Sequence, residues 1–419
     1  MSITIHRGAN QIGGCVTEIS TEKARVFIDL GADLTGDKKK DYSKVNIDGL
    51  TAGNAENSHL LITHYHGDHI GRITQAQTDN IYMGETAKKI NMVKTKRLAS
   101  SKRELIDPKE VEFLEKTKTF KPGHKLTFGD IKVTPLMTDH SAYDAYSFLI
   151  EAKGKRIFYT GDFRLHGPRG GKMLKSGFFE KYAQNIDYLI CEGTNISRKE
   201  KAQTEFELMR EAEELFKSEK YKYFFILCSS TNIDRIMVFY HAYNKVFNRK
   251  RPFIIFDEDV YQKEILKIVS ESSSKKSSFY EFEPTERNRY KPKNVSVNML
   301  GNKGVSPKNG FCFLIRDNSP SKNILKRYFT NHPENSLIIY SMWKGYLDEK
   351  NKSKNDRLIK LLSPYKHTYM HTSGHADVET IQNVVNIIKP KHIVPIHTEN
   401  REEFKNLFEN ALLETHYEL

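Results

Sequence analysis

Four potential metal ligands fall within six residues of the stretch Thr63-His64-Tyr65-His66-Gly67-Asp68-His69. His64 and His66 stand two apart, so in extended backbone their imidazoles share one face. Asp68 and His69 follow Gly67, where the chain can turn sharply and send the next pair elsewhere. One cation could take the first pair and a second cation the other. Two cations about 3.5–4 Å apart can clamp the attacking and leaving oxygens of a displacement. The stretch follows Leu60-Leu61-Ile62, an apolar run that reads as a buried strand emptying into a ligand loop. The competing reading is a histidine-rich surface loop, which leaves the acidic residue inside the cluster unexplained.

The elements that must position this chemistry repeat one pattern. Val133-Thr134-Pro135-Leu136-Met137 leads to His140, and Lys155–Tyr159 leads to Gly161-Asp162. Tyr188-Leu189-Ile190-Cys191 ends in Glu192, and Ile393-Val394-Pro395-Ile396 ends in His397. Arg25-Val26-Phe27-Ile28 ends in Asp29. Each is a short β-forming run with a polar, chemistry-bearing residue at its tip. His371-Thr372-Ser373-Gly374-His375-Ala376-Asp377 instead precedes a helix expected over 377–388, whose start could offer N–H groups to an anion. The expectation is that distant strand tips converge on one centre.

His64-Tyr65-His66-Gly67-Asp68-His69 resembles the HxHxDH signature of the metallo-β-lactamase superfamily. The later motifs narrow the resemblance to the β-CASP nucleases, with the ribonuclease J group nearest, over essentially the whole chain. The resemblance implies that His140 completes a first ligand set with His64 and His66. It implies that His397 joins Asp68, His69 and Asp162 around a second cation. Asp162, with two oxygens, would bridge both. Asp29 would orient the ligand loop without binding metal. Glu192 would hold and charge-tune His375, and His375 would serve the scissile phosphate in proton transfer. Ser230, Thr231 and Asn232, ahead of a helix, resemble the loop that contacts a 5′ phosphate, and Ser373 and Gly374 would also touch phosphate. Asp377 stands where the group usually has Ser, an acidic departure beside an expected phosphate pocket. His397 in the last motif goes with RNA-processing members.

The implied fold is α/β: an αββα metallo-β-lactamase sandwich with an inserted parallel-sheet β-CASP domain. The expected boundaries are 1–196 and 351–419 for the metal domain and 197–350 for the insertion. Within the insertion, an amphipathic helix at 201–217 alternates with apolar strands at 221–227, 253–256, 311–315 and 336–340, a βαβ pattern. Trp343, the only tryptophan, and Tyr346 follow the last of these and could stack bases or join the core. Residues 271–278 and 286–308 read as long loops, and Lys38-Lys39-Lys40 as a solvated one. A basic helix at 85–105 could meet phosphates, as could Arg164, His166 and Arg169.

The 419 residues suggest two or three domains with ample core, and a formal charge of +13 favours a polyanionic partner. With 38% apolar and 28% charged residues the chain is not of the disordered class. Cys15, Cys191, Cys228 and Cys312 form no CxxC pair and read as reduced core residues of a cytoplasmic protein. No signal peptide or membrane span is expected. The expected function is a two-metal ribonuclease on single-stranded RNA, acting 5′-to-3′, internally, or both. Zn²⁺ is the expected metal, with Mn²⁺ allowed. Asp68, His375 and Glu192 are the expected catalytic groups. A small-molecule phosphodiesterase or other ester metallohydrolase is the alternative, and a non-catalytic RNA-binding subunit a further one. The chain ends soon after the last motif, where the group usually continues into a dimerisation domain, so a homodimer is left open.

Overall fold

The computed structural model describes residues 1–34, 44–100, 106–248, 250–255, 260–272, 309–348 and 352–419. Lys38–Lys40, Lys102, Arg103, Phe256 and nearly all of the two expected long loops lie outside the described residues. The chain divides into two compact units, one of 1–202 with 374–419, the other of 203–373.

The first unit holds two sheets. One runs through β1 (Ser2–Arg7), β2 (Val16–Ser20), β3 (Arg25–Ile28), β4 (Ser58–Ile62), β5 (Ile81–Gly84) and β6 (Lys118–Phe120), with the last strand of the chain, His416–Glu418, on its β1 edge. The other contains β7 (Leu126–Phe128), β8 (Ile131–Thr138), β9 (Ala145–Ala152), β10 (Lys155–Tyr159) and β11 (Tyr188–Glu192), with His392–Ile396 pairing parallel to β11. Strand alternation explains the layering. Ile157, Tyr159, Ile190, Val394 and Ile396 join Ile3, Val26, Ile28 and Leu61 in one core between the sheets. Their neighbours Phe158, Leu189, Cys191 and Ile393 point the other way, into a second core with Phe179, Ile381, Val384 and Phe404 from covering helices. Helices Glu85–Ala99 and Glu110–Lys116 pack together beside β5 and β6. This is the αββα sandwich.

The second unit is built on a five-stranded parallel sheet of β12 (Tyr223–Cys228), β13 (Phe253–Ile254), β14 (Phe311–Leu314), β15 (Ser336–Ser341) and β16 (His367–Tyr369), in the order β13-β14-β12-β15-β16. Helix Glu205–Lys217 begins at a capping box, in which Thr204 accepts from the Glu207 N–H and Glu207 accepts from the Thr204 N–H. It packs on helix Ile233–Phe247. Segment 352–373 lies in this unit, whereas the sequence pattern placed everything after 350 with the metal domain. The cause is β16, three residues too short and too polar to register as a strand, which pairs parallel with β15 through Ile338–His367 and Tyr340–Tyr369. Of the basic helix expected over 85–105, Glu85–Ala99 is helical, and 101–105 lie outside the described residues.

Candidate metal centre

The ligand loop leaves β4 at Ile62 and passes into a one-turn helix, Gly67–Ile70. A Cβ at Gly67 would meet nothing within 4 Å, so this turn does not depend on glycine there. The glycine that matters is Gly31, where a Cβ would fall 1.6 Å from the Asp68 carbonyl oxygen. Only a bare backbone lets the segment after β3 support the ligand turn this closely.

His64, His66 and His140 form one group whose nitrogens lie within 4.8 Å of one another. His140 Nδ1 is 2.7 Å from the carbonyl oxygen of Gly374, which can only accept, so the proton sits on Nδ1 and Nε2 presents its lone pair. That Nε2 is 3.2 Å from His66 Nδ1. His64 Nδ1 is 3.0 Å from Thr63 Oγ1. Burial drives the pKa of His64 and of His140 well down and that of His66 to about 4, so all three are neutral, as metal ligation requires.

Asp68, His69, Asp162 and His397 form a second group on the same geometric scale. Asp29, fully buried and at φ 63°, accepts from the Thr63 N–H at 2.8 Å and lies 2.7 Å from His69 Nδ1. Burial pushes its pKa up, against the pull of His69 and Thr63. His397 also sits in the left-handed region, at φ 52°, a strained conformation for a non-glycine residue. Its N–H donates to the Gly8 carbonyl at 2.7 Å, its Nδ1 is 2.7 Å from Thr194 Oγ1, and its Nε2 is 3.3 Å from Asp68. Asp162 joins the two groups. Its carboxylate lies 3.1 Å from His69 Nε2 and 3.8 Å from each of His64, His140 and His397 Nε2. Burial alone would raise Asp162, but His397, His69 and His375 hold it well below the usual carboxylate range. Asp68 is likewise held low, by His69 and His397 against the effect of burial. Burial would lower His69, yet Asp162, Asp29 and Asp68 raise it well above an ordinary histidine.

His375 borders both groups. Its Nδ1 lies 3.2 Å from both oxygens of Glu192, 3.1 Å from Thr194 Oγ1 and 3.7 Å from Asp162. Burial opposes its charge, but Glu192 and Asp162 outweigh it and push the pKa up to about 9. Glu192 is fully buried at the tip of β11 and also accepts from the N–H groups of Phe163 and Thr194.

The donor set fits divalent cations. His64 Nε2 is buried with no hydrogen-bond partner among the described residues, and His69 Nε2 and Asp162 Oδ2, 3.1 Å apart, face each other without a well-formed hydrogen bond. Buried donor atoms gathered this closely would be costly without a cation to receive them. Residues 25–218 match a beta-lactamase superfamily domain, and residues 365–417 match a Zn-dependent metallo-hydrolase RNA specificity domain. The chain belongs to the metallo-β-lactamase superfamily. Within it the chain is a ribonuclease J-like β-CASP protein and a metal-dependent hydrolase. It is 22% identical to ribonuclease J of Mycoplasma pneumoniae and 21% identical to ribonuclease J of Mycoplasma genitalium, in each case over 94% of this chain and 67% of the relative. A crystal structure of a protein of unknown function from Enterococcus faecalis V583 superposes with a TM-score of 0.70 at 20% identity, covering 99% of this chain and 97% of that one. This last likeness is one of fold.

The structure brings His64, His66, Asp68, His69, His140, Asp162, Glu192, His375 and His397 together in the first unit. Gly374 is there too, its carbonyl engaged by His140. Ser230, Thr231, Asn232 and Ser373 belong to the second unit. Asn232 caps helix Ile233–Phe247 by accepting from the Arg235 N–H, and Ser230 Oγ lies 3.0 Å from Tyr261 Oη. Asp377 caps helix Val378–Ile388 and accepts from the Ala202 N–H, so its acidity is spent on backbone donors. Arg164 was one of three residues that could meet phosphate. It is fully buried, with Nε 3.0 Å from Asp139. Asp139, also fully buried, further accepts from the N–H groups of Arg169 and Gly170, and so pins the segment after β10 beside His140. Sequence reasoning missed Thr63 and Thr194 as holders of ligand rings. Their only local signal is a hydroxyl directly before, or two residues after, a chemistry-bearing residue.

Among the described residues no helix is long and apolar enough to cross a membrane. The four cysteines are buried and unpaired.

Proposed function

We propose that this chain is a two-metal ribonuclease that hydrolyses phosphodiester bonds of single-stranded RNA. Residues 203–373 are taken as its β-CASP domain, and 1–202 with 374–419 as its catalytic domain. One observation carries the reading: two ligand groups, His64–His66–His140 and Asp68–His69–Asp162–His397, both reach Asp162 in a chain that also matches an RNA specificity domain. Two divalent cations held there, Zn²⁺ by preference or Mn²⁺, would supply Lewis acidity for water and for the phosphoryl oxygens.

The chain's own residues do the rest. Asp68, ionised and 3.3 Å from His397, accepts or orients the proton of the attacking water. Glu192 turns His375 Nδ1 inward, so Nε2 is the nitrogen that serves the leaving oxygen. The buried Glu192 carboxylate, 3.2 Å from Nδ1, favours the protonated ring. Ser373, Gly374, Ser230, Thr231 and Asn232 are the residues proposed to meet the strand's phosphates. The proposal extends to a cytoplasmic location and leaves room for a homodimer, which sedimentation of the purified chain would read.

The test is purified protein on end-labelled single-stranded RNA with Zn²⁺ or Mn²⁺. Cleavage should vanish with chelator and fall about 10²–10⁴-fold in His375→Ala with both metals retained. Mononucleotides from the 5′ end would indicate trimming, and a ladder would indicate internal cutting. Wild-type rates in His375→Ala, or turnover of cyclic dinucleotides with RNA left intact, would overturn the proposal.

A further inference from the structure

Large exposed hydrophobic side chains are unevenly placed. Among the described residues they are Leu34, Met137 and Leu174 in the first unit, and Phe206, Trp343, Tyr346 and Tyr369 in the second. Among the described residues the largely exposed aromatic rings are therefore confined to the second unit. Three of them sit where parallel strands end: Trp343 and Tyr346 just after β15, and Tyr369 as the last residue of β16. Trp343, Tyr346 and Tyr369 are 43%, 42% and 42% exposed, too much for core residues.

These rings are held, not loose. Tyr340 Oη donates to the Trp343 carbonyl at 3.0 Å, and the Tyr346 N–H donates to the same oxygen at 3.2 Å. The indole lies against Gly345, where a Cβ would come within 2.4–2.6 Å of three ring atoms. Glycine here lets one side of the ring rest on backbone while the other faces solvent. Trp343 and Tyr346 stand 5.4 Å apart at 84°, so they present differently directed faces. Buried Tyr340 lies 6.1 Å from the Tyr369 ring, and Tyr369 lies 6.0 Å from His371. His371 is in turn fixed by Arg235, whose guanidinium lies 2.9 Å from its Nδ1 and is paired with buried Glu205.

The position in the sheet points to a ligand. The chain passes from β12 outward to β13 and β14 and then returns to the other side of β12 for β15, so the order reverses between β12 and β15. Ligands of open parallel sheets bind beyond the carboxyl ends at such a reversal. Cys228 and Ser341, the ends of β12 and β15, are in register, so the loops beginning at 229 and 342 emerge side by side. We propose that the 342–347 loop, with Tyr369, is a platform on which the unpaired bases of a nucleic-acid strand stack. The proposal rests on the ribonuclease reading and names how the substrate is gripped. Fixed aromatic faces beside an exposed lysine, Lys344, in a chain of charge +13, match the stacking-plus-phosphate grip of single-strand binders better than an apolar protein contact.

Trp343 is the only tryptophan, so its emission reports on this loop alone. Metal-stripped protein would be titrated with a twelve-residue oligouridylate and with an abasic strand of the same length. The expected result is quenching by the oligouridylate and little by the abasic strand. Trp343→Ala should weaken binding of the labelled oligouridylate about five- to a hundredfold by anisotropy, and Trp343→Phe should retain most of it. Unchanged emission at saturation, equal quenching by the abasic strand, or Trp343→Ala binding within twofold of wild type would each overturn the platform. None of these outcomes touches RNA cleavage, which is measured separately with metal present. A loss shared by Trp343→Phe together with a lowered melting temperature would mark the loop as structural and also overturn the proposal.

Discussion

Asp29→Asn tests what a single buried carboxylate does for the metal centre. Asparagine keeps the size of the side chain and tolerates the φ of 63° found here. Its amide oxygen can still accept from the Thr63 N–H, now 2.8 Å from Asp29 Oδ1. What is lost is the negative charge 2.7 Å from His69 Nδ1 and the acceptor at that place, because the amide NH₂ takes the position of the oxygen that faced the ring. That charge makes His69 a stronger ligand through its other nitrogen, and losing such a partner costs about ten- to a hundredfold in metal affinity, or about 1.4–2.7 kcal/mol. The larger loss should fall on one cation, with a smaller effect carried to the other through the Thr63 hydroxyl, which lies 2.9 Å from Asp29 and 3.0 Å from His64 Nδ1. His64, His66 and His140 take their support from Thr63, Gly374 and each other, whereas His69 belongs to the other group. Asp29→Ala would not serve. It strands donors on Thr63 and His69 at about 1–3 kcal/mol each and adds about 1–2 kcal/mol for a left-handed alanine, close to the whole stability of a domain. The assay is Zn²⁺ competition against a chromophoric chelator, with urea unfolding of the metal-free protein as control. One affinity should drop and the other stay within about threefold. Two unchanged affinities, with unchanged stability, would refute the argument that Asp29 acts through His69.

Removing Arg235 as Arg235→Leu leaves fully buried Glu205 without its partner and should cost about 3–5 kcal/mol by urea unfolding, while Glu205→Leu/Arg235→Leu should recover part of that loss. Glu18, 4% exposed, has its pKa lowered because hydrogen bonds from His6 and Arg25 outweigh burial. A carboxylate with a depressed folded pKa adds stability above its ordinary value of 4.5 and loses it as pH falls through the folded value. The melting-temperature gap between wild type and Glu18→Gln should therefore be open at pH 7 and close in acid. Asp377→Ala removes both a helix cap and the acceptor for the Ala202 N–H, and should cost about 1–2 kcal/mol in the same unfolding assay.

The ligands were legible because each stands within a few residues of a short apolar strand. His64 follows Ile62, Asp162 follows Tyr159, and His397 follows Ile396. A polar metal-binding type at the end of a buried run is a local signal. The sandwich was legible for the same reason, since alternation along β10 and β11 sends Ile157 and Ile190 to one core and Phe158 and Leu189 to the other. β16 was not legible: a three-residue strand reading His-Thr-Tyr has no apolar period, and only its pairing with β15 defines it. The burial of Arg164 was not legible either, because its partner, Asp139, lies 25 residues earlier and nothing local marks either as buried.

The side chains that hold the ligands were harder to see than the ligands, and the reason is physical. A histidine can bind a cation through Nε2 only if Nδ1 carries its proton elsewhere, and whatever takes that hydrogen bond needs only an oxygen at the right place. Here the oxygens are the Gly374 carbonyl for His140, the Thr194 hydroxyl for His397, the Asp29 carboxylate for His69 and the Thr63 hydroxyl for His64. Backbone, alcohol and acid serve equally, so no residue type identifies the role, and the partners lie from 1 to 234 positions away. The ligands themselves are chemically restricted to nitrogen and carboxylate donors, which is why their spacing shows in the sequence. Thr194 shows the consequence most fully. Its one hydroxyl lies 2.7 Å from a ring in the second ligand group and 3.1 Å from His375, so replacing it with valine should disturb metal affinity and proton delivery together, a coupling that neither ring's own neighbours in sequence would suggest.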